Sequence, residues 1–246
     1  MVAYDPAYAY EISHIVESGL NRMYGATDEH PHGEDVFFYL TIYNEPISQP
    51  AEPADVDAEG ILRGIHKVSS ALGDTGRPRA QVLASGVGVP WILEAQELLE
   101  KDWGVAADVW SVTSWGELRR DGLKAEHDAF LDPNADKRTP FVTEKLQGTE
   151  GPVLAVGDWA HSVPDQIRQF VPRTYVTLGA DDFGFSDTRA AARRFFHIDG
   201  PSVVVRALEA LAEEGKVDPY AAAQAIDRYK LHDVTAGTSG SAGGES

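Results

Sequence analysis

The chain has 246 residues, enough for one large or two small domains, and 43% of them are hydrophobic, enough for a globular core. Acids outnumber bases 39 to 21, a net charge of −18, which repels a phosphate backbone and excludes a general nucleic-acid binder. There is no cysteine, so disulfides, thiolate metal sites and a cysteine nucleophile are excluded. No apolar run reaches the roughly 18–20 residues needed to cross a bilayer. The opening MVAYDPAYAY lacks the basic and apolar regions of a signal peptide, which suits a soluble protein of the cytoplasm.

Asp5 and Pro6 predict a helix start, with the acid as cap and proline in the first turn. Ile12, Ile15, Val16, Leu20 and Met23 then recur at helical spacing and predict one apolar face, closed at Gly25. The aromatic and β-branched run Val36–Tyr43 predicts a buried strand. This helix and strand cannot bury both faces alone and read as the end of a domain. The proline-rich, acidic stretch PISQPAEPADVD has linker composition, and Asp57 is placed to cap a helix from Ala58 to about Ser69.

A second unit alternates between the two periodicities. Strands are expected at Ala80–Ala84, Asp108–Thr113, Val153–Val156 and Thr174–Leu178. Helices are expected at Pro90–Trp103, Trp115–Leu123, Pro164–Phe170, Asp187–Phe196, Ser202–Glu214 and Pro219–Leu231. Strands separated by helices predict a mainly parallel sheet covered on both sides, an α/β fold. The Gly/Ser tail, residues 235–246, is expected to be disordered.

Several patterns could carry chemistry. Ser85-Gly86-Val87-Gly88 follows a strand and precedes a helix, half of a dinucleotide fingerprint; Trp91 stands where its third glycine belongs. DEHPHGED around His30 and His32 holds metal-ligand types on a loop, where solvated polar clusters are common. His161-Ser162 lies in another strand-to-helix turn, with no G-x-S-x-G to make a nucleophile elbow. The five tryptophans are spaced as core or interface anchors. None of these yields a catalytic, cofactor-binding or metal-binding residue.

The stretch LGADDFGFSDTRAAARRFF says more. It reads as a strand, a Gly/Asp loop and an arginine-rich helix, with Ser186 or Asp187 as cap and Arg189, Arg193 and Arg194 at the helix front. The dipole disfavours cations there, so nearby acids, another domain or another subunit are expected to hold them. The segment Asp181, Asp182, Phe183, Gly184, Phe185, Ser186, Asp187, Thr188, Arg189 resembles the DGFGxSDxR signature in the C-terminal domain of homodimeric pyruvate dehydrogenase E1 components, with Asp182 where the family has glycine. YDPAYAYEI, FFYLTIYNEP, DVWSVTSWGELRRDG and SVVVRALEALAEEGKVD resemble the same family, especially its actinobacterial members, in the same order. The likeness runs from about residue 2 to about 234.

The resemblance implies a transketolase C-terminal-like domain over residues 60–234, a linker at 51–59, and at 1–50 the end of a pyrimidine-binding domain. It implies an enzyme that decarboxylates pyruvate with thiamine diphosphate and Mg²⁺, and passes the two-carbon unit to the lipoyl group of the E2 acyltransferase. The GDG motif that such enzymes use to hold Mg²⁺ does not occur here, and Glu11 and Glu45 do not lie in the family's catalytic glutamate motif. The chain is therefore expected to bind no cofactor alone and to supply scaffold and subunit contacts. Its partners would be the rest of E1, a second E1 subunit and E2. The loop Asp181, Asp182, Phe183, Gly184, Ser186, Asp187 and Arg189 is the candidate interface. A stand-alone interaction module, or a nucleotide-binding α/β protein using Ser85–Gly88, are the alternatives.

Overall fold

Two-residue periodicity splits each central strand between two cores, and this alternation organises the domain. The computed structural model describes residues 1–71 and 76–237. The elements are β1 (Val2–Tyr4), α1 (Ala9–Tyr24), β2 (Phe38–Leu40), α2 (Ala58–Arg63), β3 (His66–Ser69), β4 (Arg79–Ala84), α3 (Gly88–Trp103), β5 (Ala106–Ser111), α4 (Trp115–Leu131), α5 (Phe141–Gln147), β6 (Val153–Val156), α6 (Ser162–Asp165), β7 (Tyr175–Leu178), α7 (Arg189–Phe195), α8 (Gly200–Glu213) and α9 (Ala221–Tyr229). β1 and β2 form a parallel pair, and the others a sheet in the order β3-β5-β4-β6-β7. Only β3 runs antiparallel in that sheet.

Ala80, Val82 and Ala84 of β4 face a core shared with α3, α8 and the amino-terminal segment, while Leu83 joins a second core. β6 does the same: Leu154 and Val156 go to the first core, Val153 and Ala155 to the second. Helices α4 and α5 fill the second core through Trp115, Leu118, Phe141, Val142 and Leu146. Gln81 also points to this side. Its amide is fully used, donating to Asp108 and Glu150 O and accepting from Trp110 Nε1 at 2.9 Å. A buried polar side chain is tolerated when its bonds are complete.

Asp57 caps α2 as expected, accepting from the Gly60 N–H at 2.9 Å. That helix is short, however. Gly64, at φ +107°, ends it and turns the chain into β3, a strand that the reading placed inside the helix. A left-handed residue is cheap only as glycine. The strand expected over Val36–Tyr43 is ordered as a ladder only at Phe38–Leu40, because only β1 pairs with it. Asp5 does not cap α1. Tyr8 is the cap residue, and Glu11 reaches back to the Ala7 and Tyr8 N–H groups at 2.6 and 3.0 Å. The buried face of α1 is Tyr10, Glu11, Ile15 and Gly19, while Val16 and Leu20 of the expected apolar face are exposed. α5 was not foreseen, and α4 runs on past Leu123. Of the expected tail, Thr235 and Ala236 belong to a 3-10 turn, Val234–Ala236, and residues 238–246 lie outside the described residues.

The arginine-rich helix also differs from expectation. Thr188, not Ser186 or Asp187, caps α7 by accepting from Ala191 N at 3.2 Å. The helix ends at Phe195, so Arg193 and Arg194 stand not at its front but in its last turn, where the dipole favours cations. Arg194 is fully buried. It donates to Asp199 Oδ2 at 2.7 Å and to the Tyr229 and Lys230 carbonyls at 2.8 and 3.1 Å, closing the end of α9. Asp199 meanwhile caps α8 through Ser202 N. Arg194→Ala leaves the buried Asp199 carboxylate unpaired, so a loss of about 3–5 kcal/mol is expected by urea unfolding. Arg194→Lys should recover only a minor part, because an ammonium cannot span the same three acceptors.

Candidate functional site

An open α/β sheet takes ligands at the carboxyl ends of its strands, where neighbouring connections run opposite ways. Here that point lies between β4 and β6. The chain leaves β4 through α3 toward β5 on one side, and β6 returns on the other. Ser85–Gly88 follows β4, and Gly157-Asp158-Trp159 follows β6.

This crevice is filled by the chain itself. Ser85 Oγ donates to Asp5 Oδ2 at 2.6 Å and Trp159 Nε1 donates to the same oxygen at 3.0 Å. Tyr43 OH donates to Asp5 Oδ1 at 2.5 Å, and the Thr41 hydroxyl donates to that oxygen too. The backbone joins in: Gly86 N donates to Asp5 O at 3.0 Å, and Asp5 N to Thr113 O at 2.7 Å. The Tyr43 ring lies over Gly86, where an added Cβ would stand 2.5 Å from it. The Ser85 hydroxyl and the Gly86 N–H, which a nucleotide phosphate would need, are therefore spent on the carboxylate and carbonyl of residue 5, and the Gly88 N–H is spent on Ser85 O within the turn.

Beside Asp5 the crevice opens into two connected clefts of about 420 and 300 Å³, which share Tyr43 and Asp158. The larger is lined by Tyr39, Leu40, Thr41, Ile42 and Trp159; the smaller includes Glu45, Trp91, Arg189, Arg193 and Phe196. Arg193 is buried, pairs with Glu45, and stacks its guanidinium 4.8 Å from the centre of the Trp91 ring. A second buried contact ties residues 1–50 to the sheet: Glu11 Oε1 lies 2.7 Å from His66 Nε2, both almost fully enclosed. Asp158 stands at the rim, partly open to solvent. Although the residue is exposed, partial desolvation of its carboxyl, then repulsion from Asp5, pushes the carboxyl up to about 6.

The structure distributes the expected loop around this place. Asp181 accepts from the His161 backbone N–H at 3.1 Å and pairs with its ring. Asp182 has φ +99°, the conformation that the family glycine adopts freely, and Gly184 follows at +97°. Phe183 between them is fully exposed. Phe185 stacks on Phe195 at 4.4 Å between centroids. Ser186 is exposed, and Asp187 accepts from Thr188 N at 2.7 Å. Only Arg189 reaches the cleft, 3.4 Å from Asn44 Oδ1 and 3.7 Å from Glu45 Oε2. Asp5, Tyr43, Glu45, Trp91, Asp158 and Arg193 were not singled out as one site. Tyr43, Glu45 and Asp158 flank turns in the sequence, but nothing there shows that they converge. His30 and His32 are exposed, and Glu34 pairs with Arg22 at 2.6 Å. Among the described residues no three His, Cys, Asp or Glu side chains are assembled to hold a metal.

Two substitutions separate the roles of the carboxylates. Asp5→Ala orphans the buried Ser85 donor and releases Tyr43, and a loss on the order of 3 kcal/mol is expected by chemical unfolding. Asp158 carries the opposite sign. Its carboxyl is raised from 3.8 to about 6, so the folded state holds a proton that the unfolded chain has lost across that window. Its contribution to stability therefore falls as pH rises from about 4 to about 6. Asp158→Asn should unfold at higher temperature than the parent above pH 6, with the difference vanishing near pH 4; equal melting curves at every pH would exclude this role.

Comparison with known proteins gives these parts a lineage. Residues 64–199 match the model of the transketolase-like TK C-terminal domain, and residues 1–50 match the middle domain of the pyruvate dehydrogenase E1 component. The chain is 56% identical over 235 residues to the pyruvate dehydrogenase E1 component of Mycolicibacterium smegmatis, and 53% identical over 236 residues to that of Mycobacterium tuberculosis. Each match takes in 96% of this chain and 25% of the relative, so the chain spans about a quarter of the length of these relatives. Among solved structures, transketolase from Campylobacter jejuni superposes with a TM-score of 0.57 at 20% identity, over 85% of this chain and 26% of that one. A structure titled split gene transketolase, inactive beta4 tetramer, superposes with a TM-score of 0.53 at 18% identity, over 85% of this chain and 57% of that one. The match over residues 64–199 and the identity to these relatives place the chain in the transketolase-like C-terminal domain family, in the form found in actinobacterial pyruvate dehydrogenase E1 components.

Proposed function

We propose that this chain is the carboxy-terminal portion of a pyruvate dehydrogenase E1 of the cytoplasm, and that it supplies scaffold and subunit contacts rather than reacting groups. The whole enzyme would decarboxylate pyruvate with thiamine diphosphate and Mg²⁺ and reductively acetylate the lipoyl group of E2. Residues 1–50 would belong to the pyrimidine-binding domain, 51–59 to a linker and 60–234 to the C-terminal domain.

The observation that carries this reading is the unfinished state of the first unit. β1 and β2 make a parallel pair, and parallel strands are normally covered on both faces. One face is covered by α1, whose Gly19 lets the Phe38 ring approach closely. Around the rest, Val16, Leu20 and Tyr24 of α1, Tyr39 of β2, and Phe37 and Ile42 beside it are exposed. Apolar surface of that kind marks a contact with further protein. The matching relatives supply such protein, because three quarters of their length lies outside the match.

The described residues do not fit a thiamine diphosphate site. No carboxylate set that could hold Mg²⁺ is assembled among them, and the one glycine turn suited to a phosphate is closed by Asp5. No step of the reaction is therefore assigned to this chain. The loop from Asp181 to Arg189 remains its best contact surface, since most of it is exposed while its ends are fixed by His161 and Thr188.

Pyruvate decarboxylation with thiamine diphosphate and Mg²⁺ tests the reading, with the chain alone and mixed with the preceding portion of E1. No turnover alone and turnover on mixing is the expected result. Turnover by the chain alone would place the cofactor site here and overturn it. In the full-length enzyme, Arg189→Ala should weaken dimerisation about fivefold, on the order of 1 kcal/mol, or lower activity to match.

A further inference from the structure

We infer that the cleft between the proline-rich segment 50–57 and the edge strand β3 binds a small zwitterion, an α-amino acid with an apolar side chain. Its carboxylate would meet Lys67 and its ammonium Asp55. This site goes beyond the proposed function and does not depend on it.

The cleft has a volume of about 460 Å³, larger than either cleft beside Asp5, and shares no lining residue with them. That size is within the range of small-molecule sites, which favour joints between domains. Its walls are set before any ligand arrives. Gln49 Oε1 accepts from Ala9 N at 2.9 Å, Glu52 pairs with His14, and Asp57 caps α2 while pairing with Lys145. The segment is thus pinned along its length, and Pro50 and Pro53 stiffen it further. Opposite, the β3 ladder slips between Lys67 and Ser69, a bulge of the kind that re-aims side chains. The Lys67 ammonium lies 4.9 Å from the centre of the Trp110 ring, and that ring is itself held by Gln81.

The charges of the lining leave one of each sign unspent. Lys145 and Asp57 cancel as a pair, and His66 is matched by the buried Glu11. Lys67 has no acid within ion-pair distance among the described residues. Asp108, whose carboxyl feels the Lys67 charge, is bonded instead to Arg79, Gln81 and the Ala71 N–H. Asp55 sits in the turn that Val56 N closes on Pro53 O at 3.2 Å, and it has no basic partner among the described residues. Lys67 and Asp55 are therefore too far apart to pair with each other. A simple anion in this cleft would face Asp55, and a simple cation would face Lys67. A zwitterion satisfies both, through charge-assisted hydrogen bonds at its two ends. Tyr10, Pro53, Val56 and Val68 supply apolar surface for its side chain. Because Asp55 belongs to the linker and Lys67 to the sheet, the ligand would tie one to the other.

Calorimetric titration of the chain with L-leucine tests this. Binding should saturate in the millimolar range or below, and the melting temperature should rise with leucine concentration. Two half-probes separate the ends of the ligand. Leucinamide lacks the carboxylate and 4-methylpentanoate lacks the ammonium, so each should bind at least about tenfold more weakly than leucine. Lys67→Gln should weaken leucine about tenfold and leave leucinamide unchanged; Asp55→Asn should weaken leucine about as much and leave 4-methylpentanoate unchanged. Without ligand both variants should melt with the parent, because both side chains are at the surface. No saturable leucine binding overturns the inference. So does a half-probe that binds as tightly as leucine, or leucine binding indifferent to both substitutions. The half-probes are compared on the unsubstituted chain, so that arm stands even where a variant fails to fold.

Discussion

Four side-chain donors from well-separated parts of the chain converge on the carboxylate of Asp5. Thr41 and Tyr43 come from the segment after β2, Ser85 from the end of β4 and Trp159 from the end of β6. Asp5 is buried, and a buried carboxylate is stable only when its lone pairs are taken up. Charge-assisted hydrogen bonds of this sort contribute about 1.5–3 kcal/mol each. They are also directional, so they fix how residues 1–50 sit on the sheet. Apolar contact alone would permit sliding. The backbone bonds at Asp5, from Gly86 and to Thr113, lock the same residue to the ends of β4 and β5.

Other buried charges repeat this logic at the margins of the sheet. Glu11 and His66 join α1 to β3, and Arg194 and Asp199 join α7 to α8 and the end of α9. In each case the carboxylate does a second task, at the start of a helix: Glu11 holds the entry to α1 and Asp199 caps α8. A cap fixes the carboxylate in place, so its ionic partner loses less entropy in meeting it. That coupling makes a buried pair worth keeping even though its desolvation cost is high.

The sheet domain was largely legible because its signals are local. Apolar runs with helices between them gave the four parallel strands, and Asp57 announced α2 as a cap. What was misread depended on distant partners. β3 is four residues, HKVS, after Gly64, and it is a strand only because β5 lies beside it. α1 looked like a helix with an apolar face of Ile12, Val16 and Leu20, yet it buries Glu11 because His66, 55 positions away, receives that carboxylate. Asp5 had a good local use as a helix cap, and the fold gave it a non-local one across separations of 80 and 154 residues. The candidate loop was visible as a motif. Its mechanics were not: Thr188 takes the cap from Ser186 and Asp187, and Arg193 and Arg194, read as part of the helix front, stand in the last turn of a short helix.

The filled crevice explains why a sheet with a ligand-binding topology can serve as scaffold. The turn Ser85–Gly88 carries two of the three glycines of a dinucleotide fingerprint, with Gly86 at φ +49°. Its donors, however, meet a carboxylate that arrives in the same polypeptide. An intramolecular ligand needs no free concentration and has already lost its translational freedom, so it outcompetes a weak diffusible one. The repulsion between Asp5 and Asp158 opposes any second anion at the same place. Binding geometry is thereby converted into a joint between domains, and the surfaces left there for other molecules are those at its edge: the clefts along Tyr39–Glu45 and the loop that presents Phe183.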